Sequence, residues 1–274
     1  MRRSSRRALH IAVVVAACAV AAFPFYWMLV SSLQATSLFT YPPHLFPSEL
    51  TLRSYLTIFE RKPLSLWIGN TMIVSIATTI LSLAISLNAA YSLSRFRTRV
   101  NLVSGVFVLI TQMLPPTLLV VPMYIIFREL RLLDSLFGLV VADTAFSLPL
   151  SIWMLKGFFD AAPREVEEAG LVDGCSRLGA FYRLVLPISV PGILVVCTFS
   201  FMVAWNEFFF ARTLITSEEN WVLSVGLSSF VGEYVLQWNE MLAAAVLFTL
   251  PPAILFGFAQ RYLLQGLTGG AVKG

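Results

Sequence analysis

Side chains able to carry covalent or metal chemistry are few in this 274-residue chain, and they do not cluster. The two histidines are His10 and His44, and the three cysteines, Cys18, Cys175 and Cys197, form no CxxC pair. That spacing argues against a disulfide framework or a zinc site. A phosphate loop of the form GxxxxGK[ST] is also absent: Lys62, Lys156 and Lys273 follow Arg61, Leu155 and Val272, never a glycine. No catalytic residue and no metal ligand is assigned. The densest polar pattern is instead EAGLVDGCSRLGAFYRLVLP, residues 168–187, set between two long apolar runs. A helix-prone polar segment with a central glycine, held in that position, suits contact with something in the aqueous phase.

The elements that hold this loop are membrane spans. Hydrophobic residues make up 58% of the chain and charged residues 12%, about half the usual charged share of a soluble domain. A helix needs roughly 20 apolar residues to cross a bilayer. Six runs qualify: Ile11–Leu33, Ile68–Leu93, Leu102–Phe127, Leu136–Leu155, Ile188–Phe210 and Met241–Ala259. They are continuously apolar rather than alternating, which excludes a transmembrane barrel. The expected fold is an all-α integral membrane protein with six transmembrane helices. With the N-terminus in the cytoplasm, thirteen of the 19 basic residues fall inside, so the positive-inside rule puts both termini in the cytoplasm of a multi-pass inner (plasma) membrane protein. His10 and His44 then lie on opposite sides. The basic residues flank spans, where membrane lipid is their partner, and no nucleic acid is needed to explain them. A cleavable leader ending near Val15-Ala16-Ala17-Cys18 competes with this reading, but the apolar run continues to Leu33, which suits a retained span.

Three segments follow: an N-terminal helix and external loop over 1–66, a membrane core over 67–262 that includes a cytoplasmic loop at 156–187, and a cytoplasmic tail over 263–274. The external loop is broken by Pro42, Pro43, Pro47 and Pro63, with a short amphipathic piece over Thr51–Phe59. Internal prolines at 115, 116, 122, 149, 251 and 252 bend their helices. Such bends either fit the bundle together or line a polar path, because irregular backbone at membrane depth must be covered by protein or face water. Polar groups within the spans are sparse. Gln112, Asp143, Asn206 and Glu207 are the candidates for a translocation pathway, since a buried ionisable group in a span points to function.

Within the loop, Pro163 suits a first helical position, and Glu165, Glu167 and Glu168 complement the helix N-terminus. Gly174 permits a left-handed stop, Ser176 can cap a second helix, and Pro187 ends it. Phe181, Leu184 and Val185 share one face of that helix.

The loop's spacing resembles the EAA signature of permease subunits in ATP-binding-cassette importers. Glu168-Ala169-Gly170 stands for EAA, Gly174 is its glycine, and Leu184 with Leu186-Pro187 is its I-x-LP; Gly replaces the last Ala and Leu replaces Ile. PFYWMLVSSLQ, NAAYSLSRFR, WNEFFFARTLI and the C-terminal QRYLLQGLTGGAVKG are similar to the second permease of maltose-type sugar importers, over nearly the whole chain. The resemblance implies a type I ABC importer permease fold whose core is the ABC type-1 domain. It further implies a coupling helix in which Glu168, Ala169, Gly170, Asp173 and Gly174 contact an ATPase, with Leu184, Leu186 and Pro187 completing the loop. ATP and Mg would belong to two ATPase subunits, not to this chain. A second permease in a heterodimer, an external solute-binding protein and a sugar would complete the system. Gly170 is expected to loosen the first loop helix by up to about 1 kcal/mol. Two other readings stay open: an ABC permease for a non-sugar solute, and an ion-driven secondary transporter, which calls for inverted repeats and buried charge pairs.

Overall fold

A computed structural model describes residues 2–34, 49–96, 98–232 and 237–271. His44, Arg97, Lys273 and the Tyr41–Pro47 stretch lie outside the described residues. The described chain is helical, apart from one isolated bridge between Gln34 and Leu50. Among the described residues four helices are long and apolar enough to cross a membrane, or six where each of two bent helix pairs counts as one span.

The chain forms two compact units, each discontinuous in sequence: 1–65 with 226–250, and 66–225 with 251–274. In the first unit, α1 (Arg2–Ser32) is one unbroken apolar helix despite Pro24. The amphipathic piece expected near Thr51 forms α2 (Arg53–Arg61), which buries Ser54 and Ile58. Tyr55 shares a 2.7 Å hydrogen bond with Ser32. Arg61 pairs with Glu240 at 3.2 Å, and the Asn239 amide donates to Ser54 at 3.1 Å. Both residues 239 and 240 open the last helix, α13 (Trp238–Ala271), whose backbone stays helical well past the expected span end at Ala259.

The second unit is built on α3 (Leu64–Arg95), α4 (Arg99–Thr111), α5 (Pro116–Glu129), α6 (Leu136–Ala161) and α10 (Val190–Trp205). The third apolar run is not one straight rod. It breaks over Gln112–Pro115, and α4 and α5 meet at 103°. Pro115 takes an extended conformation and Pro116 opens α5, where a missing amide hydrogen costs little. The fifth run is shorter than its apolar stretch, because Asn206 closes α10 and a separate helix, α11 (Phe209–Leu214), follows.

Two buried apolar clusters fill this unit. One gathers Val74, Phe127, Leu139, Phe210 and Leu214; the other gathers Tyr91, Leu155, Phe159, Phe181, Val185 and Val196. Between them in sequence lies a belt of buried serines. Ser147 donates to Ser82 at 3.1 Å, Ser82 to Ser151 at 3.3 Å, and Ser151 and Ser200 are 3.1 Å apart. Small hydroxyls let α3, α6 and α10 approach closely, and their mutual bonds satisfy groups that lipid could not.

Candidate functional site

The polar loop folds as two short helices that double back on α3. The first, α7 (Arg164–Val172), begins one residue later than expected: Pro163 precedes it with ψ 131°. Its end is a Schellman turn. Gly174 sits at φ +88°, the Gly174 amide donates to Leu171 O at 3.2 Å, and the Cys175 amide donates to Gly170 O at 2.9 Å. Only glycine adopts that backbone without strain.

Ser176 caps α8 (Arg177–Ala180) by accepting from the Gly179 amide at 3.1 Å. A π-helical turn then runs over Phe181–Val185 and leads into α9 (Leu186–Ile188). Pro187 does not end the helix, as the sequence suggested. The wider turn accommodates a proline that lacks an amide hydrogen. The break comes at Ser189, and the chain turns by 79° into α10. Phe181 and Val185 are fully buried, and the Phe181 ring lies 4.2 Å from that of Tyr91.

The clamp on this loop is electrostatic as well as apolar. Glu167 receives Arg95 Nε at 2.9 Å and the Tyr91 hydroxyl at 2.5 Å. The Arg95 and Glu167 side chains are only 6% and 12% exposed, so this pair is worth more than a surface bridge. Arg95 also donates to Ala162 O at 3.2 Å, Ser94 to Asp160 at 2.6 Å, and Tyr182 to Asn88 at 3.2 Å. Three of these donors and acceptors lie on the last turns of α3. From the sequence Glu167 reads only as a complement to the helix N-terminus, and its partnership with Arg95 is not foreseen. They are 72 positions apart, and nothing local marks them as partners.

The residues of the signature divide by face. Glu168, Ala169, Asp173 and Gly174 are exposed, Pro187 is exposed, Leu184 and Leu186 are half-buried, and Gly170 is buried. Val172 is 87% exposed and Leu178 is 63% exposed. The outward face therefore combines acidic groups with uncovered apolar side chains. Gly170 has a use that helix propensity hides. A Cβ there would overlap the Leu184 Cδ1 atom, so the glycine makes room for the leucine that replaces isoleucine.

Three of the four pathway candidates converge. Gln112, exposed at the α4–α5 break, donates to Phe146 O at 3.2 Å. The Phe146 ring stacks on Phe210 at 4.6 Å. Glu207 accepts from the Phe210 and Ala211 amides at 2.7 and 2.8 Å, so its carboxylate also caps α11. Asp143, one turn before Phe146 on α6, is 1% exposed, and neither of its oxygens finds a hydrogen-bond partner among the described residues. Asn206 stands apart. It is exposed, and its amide donates to Met202 O at 2.8 Å.

A second polar anchor, unforeseen from sequence, lies outside the spans. Asp134, at φ 54°, accepts at one oxygen from the Thr216 and Ser217 amides and the Ser217 hydroxyl at 2.8 to 3.0 Å. The Ser217 amide, foremost among these donors, holds its carboxyl below the usual range.

Multiple apolar helical passages, a belt of hydroxyls between α3, α6 and α10, and one clamped polar loop define a multi-pass membrane protein. Residues 80–269 match the family described as binding-protein-dependent transport system inner membrane component, and the chain belongs to it. It is 34% identical over 253 residues to the sulfoquinovosyl glycerol transport system permease protein SmoH of Agrobacterium fabrum, covering 92% of this chain and 89% of that one. It is 34% identical over 253 residues to the diacetylchitobiose uptake system permease protein DasC of Streptomyces coelicolor, covering 92% of each. The trehalose/maltose transport system permease protein MalG of Thermococcus litoralis is 31% identical over 98% of both chains. In fold, the chain matches a bacterial ABC transporter involved in import of the acidic polysaccharide alginate, with a TM-score of 0.81, 21% identity, and coverage of 96% of this chain and 98% of that one. The fold is that of a type I ABC importer permease.

Proposed function

We propose that this chain is one permease subunit of an ATP-driven sugar importer, forming half of the translocation pathway and coupling it to a separate ATPase. The carrying observation is the two-faced loop. Its inner face is fixed to α3 through Glu167, Arg95, Tyr91 and Phe181, while its outer face leaves Glu168, Ala169, Asp173 and Val172 uncovered. An apolar side chain that exposed, rimmed by charge, suits a protein partner. A docked ATPase subunit that binds ATP and Mg moves the loop. The clamp passes that motion to α3, and the bundle switches between two packings. Two ATPase subunits, a second and different permease, and an external solute-binding protein complete the assembly. The excess of basic residues on one side supports cytoplasmic termini.

Sugar as cargo rests on the named solutes of the relatives. The pathway reading for Gln112, Asp143 and Glu207 is supported by their convergence beside the α4–α5 break. There the backbone of a broken helix needs either protein or water.

The test is Val172→Asp in the intact transporter. The variant is expected at normal levels in the membrane with uptake of radiolabelled sugars abolished. Uptake at the parental rate refutes the coupling role. A panel in which only non-sugar solutes are taken up refutes the sugar assignment and leaves the coupling role standing.

A further inference from the structure

A cavity of about 670 Å³ opens beside the loop, between the end of α3, the start of α4 and the end of α6. That volume falls within the roughly 300–1,000 Å³ of small-molecule sites. Its polar rim carries Arg99, Lys156 and Arg164 against one carboxylate, Asp160. Both Asp160 oxygens are already engaged, one by Ser94 at 2.6 Å and one by Lys156 at 2.5 Å. Arg99 and Arg164 have no anionic partner among the described residues, and Arg164 donates only to Ser94 O at 3.5 Å. The apolar part of its lining includes Leu102, Gly105 and Val106. Trp153 joins the two: Lys156 lies 5.6 Å from its ring, and its indole N–H finds no acceptor among the described residues. Leu102 is 71% exposed and Val106 50% exposed on the outside of α4, a surface that hydrocarbon would cover.

We propose that this cavity binds the phosphate of an anionic glycerophospholipid, with the acyl chains running along α4. The arginines meet the phosphate, since guanidinium matches its geometry in a two-pronged contact. Trp153 sits where indoles favour the boundary between head groups and hydrocarbon. A free phosphate ion shares the polar chemistry but leaves the Leu102–Val106 wall unused. Bound lipid would brace the α3–α4 corner, and Ser94 and Arg95 of the loop clamp belong to that corner.

Native mass spectrometry of the purified transporter complex tests this with added phosphatidylglycerol, phosphatidylcholine or inorganic phosphate. Retention on this subunit is expected for phosphatidylglycerol over phosphatidylcholine. Arg99→Gln with Arg164→Gln should weaken it about 25-fold, from roughly 5-fold per basic residue near an anionic surface. Val106→Trp, which fills the cavity without changing charge, should also expel the lipid, while Arg128→Gln should not. Equal retention by parent and double variant overturns the proposal. So does displacement of the lipid by millimolar inorganic phosphate, which marks a free-anion site. A photoreactive residue at Leu102 that labels only protein in the assembled complex overturns it too.

Discussion

Glu167→Ala removes one partner of a pair that the fold has taken out of water. Arg95 is left with 6% of its side chain exposed, keeping only its 3.2 Å bond to Ala162 O. The Tyr91 hydroxyl loses its acceptor. Breaking a buried pair on one side costs about 3–5 kcal/mol, and the surviving Ala162 bond places this case near the lower end. At about 1.4 kcal/mol per tenfold, the population of loop detached from α3 should rise roughly 100-fold. Hydrogen exchange of the α7 amides in the purified protein reads that population directly. Replacing both partners, as Arg95→Met with Glu167→Leu, leaves no orphaned charge and should restore most of the protection. The reasoning fails if Glu167→Ala leaves exchange over 164–172 at the parental rate, or if the apolar double variant is as loose as the single.

Gly170 and Leu184 should behave as one unit. Gly170→Ala places a methyl on Leu184 Cδ1, so with Leu184→Val, which withdraws that atom, a thermal-melt double-mutant cycle should show coupling of about 0.5–2 kcal/mol; simple additivity contradicts the contact. Asp134 makes the 214–221 segment sensitive to acid. Because its folded carboxyl titrates below the usual value, the stabilisation is present in full above the unfolded value of about 4 and is lost as pH falls through the lower folded value. Limited proteolysis of this segment should rise only under those acidic conditions, whereas Asp134→Asn should be susceptible at neutral pH as well. Ser82→Leu forces a large side chain into a fully buried site and should cost about 1–3 kcal/mol, measured as a lower melting temperature of the solubilised protein.

Much of the loop was legible because its determinants are local. Gly174 marked a left-handed stop, and Ser176 marked a cap that accepts from Gly179. Six apolar passages could be counted because length and composition alone define a span. The break at Gln112–Pro115 was visible as paired prolines, but its 103° angle depends on packing. What stayed hidden depends on contacts between distant residues. The Arg95–Glu167 clamp joins two ordinary-looking charges, and the π turn over Phe181–Val185 carries Phe181 against Tyr91 of a distant helix. The serine belt did leave a trace. Ser75, Thr78, Ser82 and Ser86 recur every three or four residues on α3, as do Ser147 and Ser151 on α6. That stripe of small hydroxyls is the signature of a close helix contact in a membrane. Gly170 misleads when read by propensity alone, because its reason is the neighbour it admits.

A photo-crosslinkable residue at Val172, incorporated into the assembled transporter and irradiated during ATP turnover, tests the central claim most directly. The expected product is this subunit joined to the ATPase, with a yield that changes between nucleotide-free and ATP-trapped states. Adducts only to lipid or water, or a yield indifferent to nucleotide, would contradict it.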